Sequence, residues 1–266
     1  MSSKTKHLMF ETINVRCLNN LMSENLFYEF QGKPKITASY SMQIARELGR
    51  KIVSGELPEG VLIDDEGALS EKYDVSRTVI RDAVKLLSAK GLLKVRRGNG
   101  TRVLFRSSWD LLDDDVLAWH QSVPPNPHFL RQLLELRMMI EPKGAQLAAL
   151  RGTNEAHAAI EKAMSDMEKE QGETERFVMA DALFHRAILR AAQNELLRPM
   201  EGVIHSALLI SIRLTNTDPR ENKLSVPFHR EVCDAILQRD AQAAKDKMNF
   251  LLNDAQQRIG KYINES

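Results

Sequence analysis

Hydrophobic residues recur at helical spacing from Ser39 onward. Ile44, Leu48 and Ile52 are four residues apart and predict a first helix that begins near Ser39 and stops at Gly55. This spacing places the three side chains on one face, which we expect to be buried.

Two further helices are predicted close behind the first. Either Asp64 or Asp65 is placed to cap a short helix that carries Leu69. Ser76 is the predicted N-cap of the next helix, which Gly91 should end. The apolar side of this third helix is predicted to be Ile80, Ala83, Val84 and Leu87.

Two short β-strands are predicted at 93–96 and 101–105. Between them lies Gly98-Asn99-Gly100, and an Asn-Gly pair between β-favouring runs predicts a hairpin whose two central residues have positive φ. Three helices followed by a basic hairpin predict a winged helix-turn-helix.

The rest of the chain reads as helix. A connector at 107–126 is expected to hold a short helix that ends before Pro124, and Pro142 should kink the helix after it. No strand alternation appears there, so an all-α bundle is predicted. Its helices are expected at about 128–151, 154–171, 174–193, 195–216, 226–238 and 240–262.

The predicted fold class is therefore mainly α, with an N-terminal winged helix-turn-helix and a C-terminal all-α bundle. We divide the chain into a disordered extension at 1–37, the winged helix at 38–106, the connector at 107–126 and the bundle at 127–266.

Composition is that of a soluble protein, with 43% hydrophobic and 27% charged residues in 266. No apolar stretch is long enough to span a membrane. Cys17 and Cys233 are far apart and form no metal-ligand pair. These features predict a cytoplasmic location.

Positive charge is concentrated in one segment, although the net charge is only +1. From Val75 to Arg106 the sole anion is Asp82. The cations there are Arg77, Arg81, Lys85, Lys90, Lys94, Arg96, Arg97, Arg102 and Arg106. Such local excess indicates a phosphate-binding face, although a solvated cationic surface is the alternative.

The start of the third helix carries the candidate DNA-reading residues. Arg77 and Arg81 are four residues apart and share a helix face, and Ser76 and Thr78 add hydroxyl groups. In a helix-turn-helix this end enters the major groove, where arginine reads guanine and hydroxyls contact phosphates. Arg96, Arg97 and Gly98 would place the hairpin against the adjacent minor groove or phosphates.

Residues 40–105 resemble the DNA-binding domain of the GntR family of transcription regulators. The matching motifs are Ile52-Val53-x-Gly55-x-Leu57-x-x-Gly60, Leu69-x-x-x-Tyr73-x-Val75-Ser76-Arg77-Thr78-x-x-Arg81-x-Ala83-Val84, Leu87-x-x-x-Gly91-Leu92 and Arg97-Gly98-x-Gly100-Thr101. One departure is Gly67 after Glu66, because members of the family commonly carry an arginine there. The DNA contact that relatives make at this position is therefore expected to be absent.

Two histidines and an aspartate are candidate metal ligands in the bundle. Asp181 and His185 are one helical turn apart and share a face, and His229 begins a later helix. One carboxylate and two imidazoles suit a divalent ion such as zinc. A hydrogen-bonded core histidine is the alternative for each imidazole.

The bundle resembles the FCD ligand-binding domain of the FadR subfamily of GntR regulators. The matching motifs are Glu135-Leu136-Arg137-x-x-x-Glu141-Pro142, Asp181-x-x-Phe184-His185-x-x-Ile188-x-x-Ala191-x-x-Asn194 and Phe228-His229-x-x-Val232. Metal-binding members carry a third histidine where this chain has Leu251. His205 would replace it only if its helix faces the pocket.

Arg137 is the first candidate for an effector-binding residue. It lies on a mostly apolar helix and needs an anion, either Glu141 one turn away or a ligand carboxylate. Arg213 is a second candidate on an apolar helix, and the resemblance adds Asn194.

The predicted function is a homodimeric repressor that binds double-stranded operator DNA and responds to a small carboxylate effector. The connector Trp109-Asp110-Leu111-Leu112-Asp113-Asp114-Asp115 and the missing histidine resemble the sugar-acid regulators of the subfamily, which implies an aldonate such as galactonate. A 2-hydroxy acid and an acyl-CoA are alternative effectors. A metal-dependent enzyme and an effector-independent DNA binder are alternative functions, and no nucleophile beside the candidate ligands supports the enzyme.

Overall fold

The computed structural model describes residues 39–124, 126–170, 174–215 and 222–264. These residues contain ten α-helices, two short 3-10 turns and one two-stranded sheet, which confirms the mainly α fold class. The predicted extension at 1–37 lies outside the described residues. The chain divides after Pro124 into two compact units.

The N-terminal unit is a winged helix-turn-helix, and each of its helices and strands contributes apolar residues to one core. Its elements are α1 (Tyr40–Val53), α2 (Glu66–Tyr73), α3 (Arg77–Ala89), β1 (Leu93–Arg96), β2 (Gly100–Val103) and α4 (Asp114–Gln121). The predicted buried side of α3 is confirmed, since Ile80, Ala83 and Leu87 have no exposed surface. The strands pair antiparallel from Leu93 opposite Val103 to Arg96 opposite Gly100.

Side-chain caps set where these helices begin. Ser39, Asp65 and Ser76 are the N-caps of α1, α2 and α3, and each accepts a hydrogen bond from a backbone amide of the first turn. Gly91 follows the end of α3 with a φ of 73°. This left-handed conformation suits glycine and turns the chain into β1.

The connector helix α4 packs within the N-terminal unit. Trp119 is almost fully buried and lies on α1 at Gly49, where an added Cβ would be 2.4 Å from the indole ring. Lys90, at the end of α3, is 2.7 Å from Asp113 and from Asp115 at the start of α4. Both contacts fix α4 to the helices of the winged domain.

The C-terminal unit is an all-α bundle. Its helices are α5 (Pro127–Arg151), α6 (Asn154–Lys169), α7 (Thr174–Ala191), α8 (Met200–Thr215), α9 (Asn222–Leu237) and α10 (Ala241–Asn264). Helix α5 continues through Pro142 and packs against both α7 and α10. Among the described residues, no helix has the length and apolar character that crossing a membrane requires.

Candidate functional site

The first turn and a half of α3 present a polar edge to solvent. Ser76, Arg77, Thr78 and Arg81 are all exposed, while the opposite side of the helix is buried. The Ser76 hydroxyl accepts a hydrogen bond from the Val79 amide at 3.4 Å and caps the helix. The candidate DNA-reading side chains therefore lie outside the core and face solvent.

The hairpin is confirmed, but the predicted turn geometry is wrong. Arg96 pairs with Gly100, so the turn is made by the three residues 97–99 rather than by a two-residue Asn-Gly turn. Positive φ values of 78° occur at Gly98 and Gly100, and Asn99 is not among the described residues with positive φ. Glycine takes this conformation without the steric cost that a Cβ brings. Arg96, Arg97 and Gly98 are exposed at the tip.

Glu66 at the start of α2 contacts the polar edge of α3. The Glu66 carboxylate accepts hydrogen bonds from Arg81 Nε at 3.3 Å and Nη2 at 2.8 Å. Arg77 lies over Gly67, where an added Cβ would be 3.4 Å from Arg77 Nη2. A side chain at position 67, such as the arginine of other family members, would therefore lie next to Arg77. Sequence reasoning missed Glu66, because it lies on another helix from Arg81.

Asp181, His185 and His229 come together inside the bundle. Asp181 Oδ1 lies 3.1 Å from His185 Nε2 and 3.2 Å from His229 Nε2, and all three residues are buried. One ligand atom from each residue lies within 4.8 Å of the others. Ligands about 2.1 Å from a tetrahedral zinc ion stand roughly 3.4 Å apart, so the spacing suits such an ion.

A hydrogen bond to the backbone directs the lone pair of His229 toward the centre of this cluster. His229 Nδ1 lies 2.8 Å from the Ser225 carbonyl oxygen, so in the neutral ring the proton is on Nδ1 and Nε2 carries a lone pair. Nε2 therefore faces Asp181 Oδ1, which accepts no well-aligned hydrogen bond from the described residues. His229 Nε2 and Asp181 Oδ1 are thus two acceptors 3.2 Å apart, which repel one another unless a cation lies between them, so the donor set fits a metal ion once His185 has lost its proton.

Glu141 supports the cluster from α5. Its Oε2 contacts His185 Nδ1, and its Oε1 accepts a hydrogen bond from Arg137 Nε. Burial opposes protonation of His185, but the charges of Glu141 and Asp181 outweigh it and raise its pKa to about 9. A carboxylate behind a ligating imidazole fixes the orientation of the ring and strengthens it as a ligand.

Arg137 finds its anion within the protein. The side chain of Arg137 is 4% exposed, and it forms an ion pair with the side chain of Glu141, which is 1% exposed. The predicted anion was either Glu141 or a ligand carboxylate, and the structure shows the contact with Glu141. Burial opposes ionisation of Glu141, but Arg137 and His185 lower its pKa to about 2. The carboxylate is therefore ionised at neutral pH.

The remaining candidates lie elsewhere. Asn194 is exposed, and its Oδ1 accepts a hydrogen bond from the Leu196 amide at 3.1 Å, which is a local capping role. The side chain of Arg213 lies outside the described residues. Leu251 is buried in the apolar core. His205 is buried in α8, and the group of candidate ligands among the described residues contains Asp181, His185 and His229 but not His205.

Two sequence profiles match the chain. The family described as bacterial regulatory proteins, gntR family, matches residues 40–103, and the FCD domain matches residues 132–254.

Relatives and solved structures cover most of the chain. The HTH-type transcriptional regulator YieP of Escherichia coli K12 is 32% identical over 80% of this chain and 92% of its own length. The galactonate operon transcriptional repressor of the same strain is 29% identical over 84% of this chain and 98% of its own length. The structure of Lar from Listeria monocytogenes has a TM-score of 0.61 at 15% identity, covers 85% of this chain and 99% of its own, and shows likeness of fold.

Proposed function

The chain belongs to the GntR family of bacterial regulatory proteins, and on that premise we propose that it is a repressor that binds palindromic operator DNA as a homodimer. Its relatives are transcription regulators, so the chain is a transcription regulator and not an enzyme. The observation that carries the proposal is the exposed polar edge of α3 above a fully buried apolar side.

The proposed DNA contacts come from α3 and the hairpin. Arg77 and Arg81 would read base edges in the major groove, and the N-terminus of the helix would meet a phosphate. The hydroxyls of Ser76 and Thr78 would fix the register on the backbone. The hairpin residues that would bind the neighbouring groove or phosphates are Arg96, Arg97 and Gly98. A two-fold symmetric dimer matches a palindromic site.

Asp181, His185 and His229 would hold one divalent ion, such as zinc. The bound ion would supply a positive charge that attracts an anionic ligand oxygen. Glu141 would keep His185 oriented, and the Arg137 guanidinium would hold Glu141 in place. With three protein ligands, the coordination sphere keeps a position for an effector oxygen.

The proposed effector is a small carboxylate, and a sugar acid such as galactonate is the first candidate. The similarity to the galactonate operon repressor over 98% of that protein supports this choice. Arg213 is the proposed cationic contact, and effector contacts from Arg137, which pairs with Glu141, and from Asn194 remain predictions. The effector controls DNA binding only if it binds the DNA-competent and DNA-free states with different affinity.

An operator-binding assay tests the DNA half of the proposal. Arg77→Ala is expected to weaken operator binding by about 1–3 kcal/mol and to relax preference at one base pair. Arg131→Ala, an exposed arginine of α5, is the matched control. Fluorescence anisotropy with a set of operator variants measures both effects. Unchanged discrimination by Arg77→Ala would mean that Arg77 contacts phosphate alone.

A thermal-shift panel tests the effector half. Galactonate, other aldonates, 2-hydroxy acids and acyl-CoAs are added to zinc-loaded and EDTA-treated protein, with galactitol as the control that lacks a carboxylate. Stabilisation by an aldonate in the zinc-loaded protein, together with weaker operator binding, supports the proposal. If no compound stabilises the protein, the effector-independent DNA binder replaces it.

A further inference from the structure

Glu66 binds one edge of the Arg81 guanidinium. Its two carboxylate oxygens accept from Nε and Nη2, so the pair is bidentate although it joins two helices. The side chains of Arg81 and Glu66 are 56% and 37% exposed. Exposed ion pairs contribute little to folding stability, so a stabilising role explains little of this geometry.

A guanidinium presents two different pairs of N–H groups for bidentate binding. One pair is formed by Nε and one terminal nitrogen, and the other by the two terminal nitrogens Nη1 and Nη2. Because Glu66 occupies the first pair of Arg81, the end of the guanidinium remains for another acceptor. The O6 and N7 atoms of guanine form an acceptor pair that matches this end in the major groove.

From this contact we propose that Glu66 is a positioning residue for DNA specificity, which holds Arg81 so that its terminal nitrogens read one guanine in each half-site. The inference rests on the proposed function, since it requires α3 to enter the major groove. A long arginine side chain that is already held in one rotamer loses less conformational entropy when it binds. A held arginine also rejects other bases more strongly, because it does not swing aside to a phosphate.

The negative charge of Glu66 makes it possible to distinguish a positioning role from a general contribution to DNA affinity. The hydrogen bond from Arg81 lowers the pKa of the Glu66 carboxyl, so the group is ionised at neutral pH. A carboxylate near the DNA backbone weakens non-specific binding, which depends on neutralised phosphates. Removing its charge is therefore expected to change specific and non-specific binding in opposite directions.

The test is binding-site selection from a randomised DNA pool with the full chain and with Glu66→Gln. One base pair per half-site is expected to lose about 5-fold or more of its discrimination against the other bases. Affinity for DNA without the selected site is expected to stay equal or to rise. Glu71→Gln removes the same charge from an exposed position of α2 and is the matched control, with an unchanged profile.

A second variant keeps the test decisive. Arg81→Lys retains the positive charge but has no planar pair of N–H groups, so it should lose preference at the same base pair as Glu66→Gln. If Glu66→Gln gives the wild-type profile, or if the two variants lose preference at different base pairs, the positioning role is wrong. If the unaltered chain selects no sequence, the proposed function fails, and this inference fails with it.

Discussion

Arg137 and Glu141 form a buried ion pair, but we expect the loss of Glu141 to destabilise the protein more than the loss of Arg137. Glu141 contacts both Arg137 and His185, whereas the described contact of Arg137 is with Glu141. In EDTA, Glu141→Gln leaves a buried guanidinium without its anion, and such uncompensated charges cost about 3–5 kcal/mol. The same change takes a carboxylate from His185, whose pKa is raised to about 9.

Arg137→Met is expected to cost less. The Glu141 carboxylate then keeps the protonated His185 as its partner at pH 7, so the loss is that of one charged hydrogen bond, about 1.5–3 kcal/mol. The double variant should lose less than the sum of the two single variants, because the second change removes a group that the first left unpaired.

Urea unfolding followed by circular dichroism at 222 nm, with EDTA present, measures these free energies of unfolding. Glu135→Gln, an exposed glutamate on the same helix, is the matched control and should change the free energy by less than about 0.5 kcal/mol. An Arg137→Met variant that is destabilised as much as Glu141→Gln, or more, would refute the reasoning. That outcome would mean that His185 does not stabilise the Glu141 carboxylate.

Two more predictions concern the metal cluster and the connector helix. Zinc binding at pH 7 should release about one proton, because His185 must lose its proton to become a ligand. Calorimetry in buffers of different ionisation enthalpy counts the released protons, and a count of zero would contradict the raised pKa of His185. Gly49→Ala should destabilise the N-terminal unit, because the new methyl group meets the Trp119 ring, whereas Gly260→Ala in α10 meets nothing within 4 Å and should stabilise its helix. Urea unfolding measures both changes in stability, with tryptophan fluorescence as the signal for Gly49→Ala and circular dichroism for Gly260→Ala. If Gly49→Ala were as stable as the unaltered protein, Trp119 would not pack against position 49.

Local chemistry along the chain predicted most helices and the hairpin. Ser76 and Gly91 mark the ends of α3, and the apolar period between them fixes its buried side, because capping and amphipathic periodicity act within a few residues. The exposed positions of Arg77 and Arg81 follow from the same period. The turn between the strands differed from the prediction, because the positive φ values fall on Gly98 and Gly100, which carry no Cβ, rather than on Asn99.

The sequence by itself determined which side chains share a helix, as with Asp181 and His185 one turn apart. Only the tertiary structure decided which helices face each other, since side-chain packing and long-range contacts have no local period. That packing brought His229 to Asp181, placed Glu141 against His185, and placed Glu66 against Arg81. Each of these contacts joins separate helices or adds a partner from another helix, so spacing along one helix gives no signal for it.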